Sequence, residues 1–196
     1  GRLRYRITRH PLILLGGFFT SFVYAMCLQP FLENPRKHRD GLYALILHLG
    51  ILTGLGLTLG WGAALLTLTL PFVLAGCLGS YLFYAQHNFP TVHLKDENGW
   101  TFEGAAMESS SFMRMPKVFH WFTGNIGYHH IHHLNARIPF YRLPETYRSL
   151  PELQRALTTS LSPREVYRCL RLKLWCGEQQ CLVDWKGRSF KPKATV

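Results

Sequence analysis

Four of the ten histidines in this 196-residue chain fall within five residues: His129, His130, His132 and His133. On a helix, His129, His132 and His133 stand at i, i+3 and i+4. They share one face, and their imidazoles can converge on one centre. His130 points about 100° away. Imidazole is a common nitrogen ligand for zinc, iron, copper and nickel. Three converging rings therefore suggest a metal without saying which one; the plainer reading is a run of exposed histidines. His87, in Tyr84-Ala85-Gln86-His87-Asn88, follows a long apolar run and is a fourth candidate ligand. Its alternative is an interfacial ring with a polar tip in water. His93 and His120 read as interfacial side chains. His48 lies inside an apolar run, where an ionisable group is a functional candidate by default, but its neutral imidazole reads as structural. Glu103 and Glu108 could add oxygen ligands. Asp96, Glu103 and Asn125 could fix imidazole tautomers, as such sites require.

Something must hold these rings, and the charge pattern says what. No Asp, Glu, Lys or Arg occurs in the 54 residues from Gly41 to Leu94. Crossing the hydrocarbon core takes about 20 apolar residues. The run therefore accommodates two spans, near Leu42–Leu59 and Ala63–Ala85, with Gly60-Trp61-Gly62 as the turn. Trp61 suits a membrane–water interface. A second uncharged run, Pro11 to Leu32, is interrupted by Gly16-Gly17 and closed by Pro30. It reads either as a third span or as a helix lying partly in the interface. An overall charged fraction of 17%, against roughly 25% in soluble domains, excludes an ordinary soluble domain and a disordered basic tail.

The net charge of +11 is distributed to match. Arg2, Arg4, Arg6, Arg9, Arg36, Lys37 and Arg39 precede the hairpin, most other basic residues follow it, and the turn has none. The positive-inside rule places both hairpin ends and the long C-terminal half in the cytoplasm. The basic excess then faces anionic headgroups or an acidic protein partner, and no nucleic acid is implied. The five cysteines lack paired Cys-x-x-Cys zinc spacing, and on the cytoplasmic side Cys169, Cys176 and Cys181 are expected as reduced thiols. Cys27 and Cys77 read as packing residues.

In the C-terminal half, a helix is expected over Thr101–Met115, ended by Pro116. Ser162-Pro163-Arg164-Glu165 reads as a capping box opening a basic amphipathic helix. Val166, Tyr167, Leu170 and Leu174 mark its apolar face, suited to the interface or to packing on the rest of the domain. Residues 182–196 are expected to fray. The expected fold class is all-α: an integral-membrane helical hairpin with a cytoplasmic helical cap and interfacial helices. The expected divisions are residues 1–40 (basic segment and membrane or interfacial helix), 41–86 (hairpin), 87–147 (metal-binding cap) and 148–196 (basic amphipathic segment).

The segment His129-x-x-His132-His133, after a hydrophobic hairpin, resembles the third histidine box of the membrane fatty-acid desaturases. The stretch from Gly124 to Pro139 is similar to the acyl-lipid branch, and Tyr84-Ala85-Gln86-His87 is similar to that branch's isolated histidine after the last span. The resemblance implies a non-haem di-iron centre. It implies an acyl lipid or fatty-acyl substrate, O2, and electrons from ferredoxin or a cytochrome b5-type donor. The product is a cis double bond. It also implies that His87, His129, His132 and His133 are iron ligands and that His130 occupies a variable position.

The chain departs from that pattern because the first two histidine boxes are absent. Two metals at four to five ligands each need about eight or more donors, and the sequence offers four good ones. The expectation is a C-terminal portion of a desaturase, incomplete by itself. Two alternatives stay open. One is a related membrane di-iron hydroxylase or ketolase; the other is a non-catalytic membrane metal-binding fragment.

Overall fold

The uncharged run folds as two long helices, Arg39–Leu59 and Trp61–Ala85. Gly60 separates them with φ +88°, a conformation that glycine alone adopts without steric penalty. The turn is therefore one residue rather than three, because Trp61 and Gly62 are already helical. Among the described residues, these two helices are the ones long and apolar enough to cross a membrane, and little of either is buried within the chain. The second helix widens to i→i+5 bonding over Leu65–Thr69, just ahead of Pro71. Proline has no N–H and its ring crowds the preceding turn, so the bonding must loosen there. The computed structural model describes residues 1–190.

The chain forms two compact units, Gly1–Tyr81 and a second starting at Leu82. In the first, Pro11–Leu15 is a short helix, and a separate wide helix runs over Phe18–Leu28 and continues through Gln29–Glu33. The break at Gly16-Gly17 is real. Pro30, however, does not close the helix: it stands where the wide bonding passes into Gln29–Glu33, and helical backbone persists to Glu33. Close backbone approach explains Gly17 and Gly76. A Cβ at Gly17 would collide with the Gly76 carbonyl and Ser80 Oγ, and one at Gly76 would collide with the backbone of Phe18. The His48 ring packs among Phe18, Phe22 and Phe72, with centroids 5.6, 6.3 and 4.9 Å away. That is the structural role expected of it.

The second unit contains both the expected cap and the expected C-terminal segment. Its core gathers Ile131, Leu143 and Leu153, with Met107, Tyr128, Leu134, Ile138 and Tyr147 packed around them. The chain is mostly helical, but this unit is not all-α. Phe112–Arg114 pairs in parallel with Thr158–Ser160, and Leu174–Cys176 pairs antiparallel with Cys181–Val183. The expected helix Thr101–Met115 consequently ends early: it covers Phe102–Glu108, after which the chain extends to make the first ladder. Thr101 caps that helix by accepting from the Gly104 N–H.

Ser162 caps the next helix, Pro163–Arg171, by accepting from the Glu165 N–H at 3.4 Å. The helix stops before Leu174, which belongs to a strand. Its Cys169 face is fully buried, so it packs on its own unit. The expected fraying fails over 182–190. Val183 completes a strand, and the buried Asp184 carboxylate gathers the N–H groups of Lys186 and Arg188 and the Arg188 guanidinium. Residues 191–196 lie outside the described residues. All five cysteines are free thiols, as expected.

Candidate metal centre

His87 sits two residues past Ala85 in a turn whose N–H bonds back to the Tyr84 carbonyl. His129 and His133 stand one turn apart on the short helix His129–Leu134. The Nε2 atoms of the three rings converge. His87 and His129 are 2.9 Å apart, His129 and His133 3.1 Å, and His87 and His133 3.2 Å. The rings meet edge to face, at interplanar angles of 71°, 85° and 85°. His129 is buried, while His87 and His133 are exposed.

His87 Nδ1 lies 3.1 Å from the Ser109 carbonyl oxygen. A carbonyl can only accept, so Nδ1 carries a proton, and Nε2 is the nitrogen a neutral ring would offer to a metal. Burial, reinforced by the neighbouring rings of His87, His133, His132 and His130, holds His129 down at about 3. Burial, then His87 and His132, also lowers His133. Both are therefore neutral at physiological pH, the state in which imidazole binds a metal.

The spacing tests which metal geometry these donors fit. With metal–nitrogen bonds of about 2.1 Å, nitrogens separated by 2.9–3.2 Å subtend roughly 85–100° at the metal. Tetrahedral angles would need separations of about 3.4 Å. The spacing is closer to adjacent corners of an octahedron than to tetrahedral corners, and imidazole nitrogens are donors that several first-row metals accept.

The structure separates the four predicted ligands. His87, His129 and His133 form one group whose donor atoms all lie within 4.8 Å of one another. His132 is not in it. Its ring stacks on His129 at 6.0 Å and borders a cavity of about 380 Å³ shared with Phe83, Ile126, Tyr128, His129 and Phe140. The structure brings His129 and His133, at i and i+4, together with His87 and places His132 beside that group. On a six-residue helix, the 100° step leaves the i+3 ring off the axis joining i and i+4.

The other candidates are occupied elsewhere. Glu108 lies 3.0 Å from Lys95 and 3.8 Å from His93, so it is not a ligand of this group. Asp96 accepts from the Gly99 N–H in a tight turn. Asn125 Nδ2 donates to the Phe140 carbonyl, and Glu103 is exposed in the first turn of its helix. None of the three orients an imidazole; the Ser109 backbone does, and nothing in the sequence signals it. His120 is buried against Phe112 and Tyr128, with centroids 6.0 and 4.9 Å away. His130 is fully buried, and burial pushes it down to about 4 against the opposing influence of the Leu153 and Ser111 backbone. Neither of its ring nitrogens reaches full hydrogen-bond geometry. It is a core residue on the far side of the ligand helix.

Three histidines whose donor nitrogens converge closely enough to hold a metal ion stand in a mostly helical chain with two helices long and apolar enough to cross a membrane. Residues 1–163 match the family model for fatty acid desaturases, and the chain belongs to that family. It is 30% identical over 195 residues to a fatty acid desaturase of Bacillus subtilis (strain 168), an alignment that covers 97% of this chain and 54% of that protein. The chain thus spans about half the length of the curated relative it matches.

Proposed function

We propose that these residues belong to a membrane-bound fatty-acyl desaturase that introduces a cis double bond by O2-dependent di-iron chemistry. The observation that carries this reading is the Nε2 triangle of His87, His129 and His133 in a chain of the desaturase family. Those three residues would hold one iron, and His132, set apart on the same helix, is available to the second. The donors among the described residues do not complete two metals, which supports further ligands from outside these 196 residues. When bound, iron would activate O2, the oxidant that takes two hydrogens from an acyl chain, with water as co-product and two further electrons from a ferredoxin or cytochrome b5-type donor.

The residues around the metal site suit an acyl chain. The cavity beside His129 and His132 is walled by Phe83, Ile126, Ile138, Phe140 and Leu143, which offer apolar surface for methylenes. Each buried methylene stabilises binding by about 0.8 kcal/mol. That energy can hold one C–C pair in register with the histidines. The two long helices would anchor the unit at the bilayer, with the metal site on the cytoplasmic side, so that a lipid tail reaches it without crossing water.

Fatty-acid analysis of a host expressing the polypeptide with any upstream coding sequence tests this reading. New unsaturated chains that disappear with His129→Ala support it. Hydroxylated chains would instead assign an oxygen-inserting member of the same chemistry.

A further inference from the structure

The family match stops at residue 163, and what lies beyond it grips the chain on both sides of His87. The helix Pro163–Arg171 ends with carbonyls that have no partner within the helix. Asn88 Nδ2 donates to two carbonyls at this end, Cys169 at 2.8 Å and Leu172 at 3.1 Å. The Tyr84 hydroxyl donates to the same Leu172 carbonyl at 2.9 Å. Lys173 Nζ stands 3.4 Å from that hydroxyl and 5.4 Å from the ring centroid, a cation near the negative end of the helix. Most of the contact is buried: Asn88, Cys169, Leu172 and Lys173 are each at most 4% exposed, and Tyr84 is half-buried. His87 itself is exposed, while the residues that flank it are held in this contact.

We propose that the segment after residue 163 is a positioning clamp for His87. It holds the residues one after and three before the histidine, and so sets how tightly the triad binds metal. Asn88 is the main positioning residue and Tyr84 the second. A helix end capped by a side-chain amide is a rigid two-bond anchor, and a ligand displaced by even a fraction of an ångström binds metal less well. The proposal rests on the reading of His87, His129 and His133 as a metal site.

The test is a Co2+ titration of the 196-residue chain in detergent micelles, following the ligand-field bands, for the parent chain, His87→Ala, Asn88→Ala and Tyr84→Phe. The expected result is loss of the bands in His87→Ala. Asn88→Ala should bind 10- to 100-fold more weakly, in the range seen for groups that orient metal ligands, with altered bands at saturation. Tyr84→Phe should bind several-fold more weakly with helical circular dichroism unchanged. If Asn88→Ala loses its helical signal, Tyr84→Phe decides alone. Parent-like affinity and bands in the variants that stay folded overturn the clamp and leave the metal site standing. Absence of Co2+ binding by the parent chain overturns both.

Discussion

The Nδ1–H of His87 donates to the carbonyl oxygen of Ser109 across 3.1 Å, joining two residues that lie 22 positions apart. This bond decides which nitrogen of His87 faces the metal centre. Ser109 is held in turn: its hydroxyl donates to the His93 carbonyl at 2.6 Å, and the His93 N–H donates to the Glu108 carbonyl. The segment after the long helix and the end of the helix Phe102–Glu108 are thereby pinned to each other, with the histidine between them.

The separation of His132 from the triad gives a clear expectation. His133→Ala removes one of three donors and should weaken binding of the first metal by at least about 100-fold, on the scale of a lost ligand. His132→Ala should leave that affinity within about threefold, because its ring lies outside the donor triangle. Calorimetric titration with Co2+ compares the two, and an equal loss in both variants contradicts the assignment.

Asp184 predicts an acid-sensitive step in the C-terminal turn. Burial would raise its pKa, but the Arg188 N–H and side chain, the Lys186 N–H and the Arg188 charge hold it at about 2. The unfolded value is about 3.9. The folded carboxylate thus contributes stability that is fully present above pH ~4 and is lost as pH falls from there to about 2. The Arg171 and Arg188 side chains are 43% and 56% exposed, so solvent screens the pairing, and a contribution of about 1–2 kcal/mol is expected. Asp184→Asn should lower the urea midpoint at pH 7 accordingly, and the difference should shrink towards pH 2.

Gly17 and Gly76 should tolerate no side chain. Gly17→Ala places a methyl against the Gly76 carbonyl and Ser80 Oγ. Overpacking of this kind costs about 1–3 kcal/mol. Thermal unfolding in micelles should show the loss, whereas Gly79→Ala, where a Cβ meets nothing within 4 Å, should not.

The proposed cytoplasmic placement of the second unit can be tested with a thiol. Ser149 is exposed, and a Ser149→Cys variant lacking the other cysteines should react with an impermeant maleimide only after the cell membrane is opened. Labelling of intact spheroplasts from outside would reverse the topology.

Much of the architecture follows from one-dimensional facts. An uncharged run of 54 residues with a glycine near its middle leaves few options besides two apolar helices, because no position in it offers the charge a solvated face needs. Four histidines in five positions point to a candidate metal site, because imidazoles one helical turn apart must be neighbours. What eluded this reading is long-range or backbone-borne. The short strands Phe112–Arg114 and Thr158–Ser160 form because each finds the other across the fold. Neither has the length or alternation to declare itself. The Ser109 carbonyl has no side-chain signature, since every residue carries one.

The sequence determined that the rings of His129 and His133 would sit together, since a helix of any origin puts i and i+4 on one side. Tertiary structure alone chose the third partner. It brought in His87 from 42 positions away at 2.9 Å and left the adjacent His132 outside, because convergence of nitrogen atoms depends on where separate segments pack rather than on how residues are spaced along one of them.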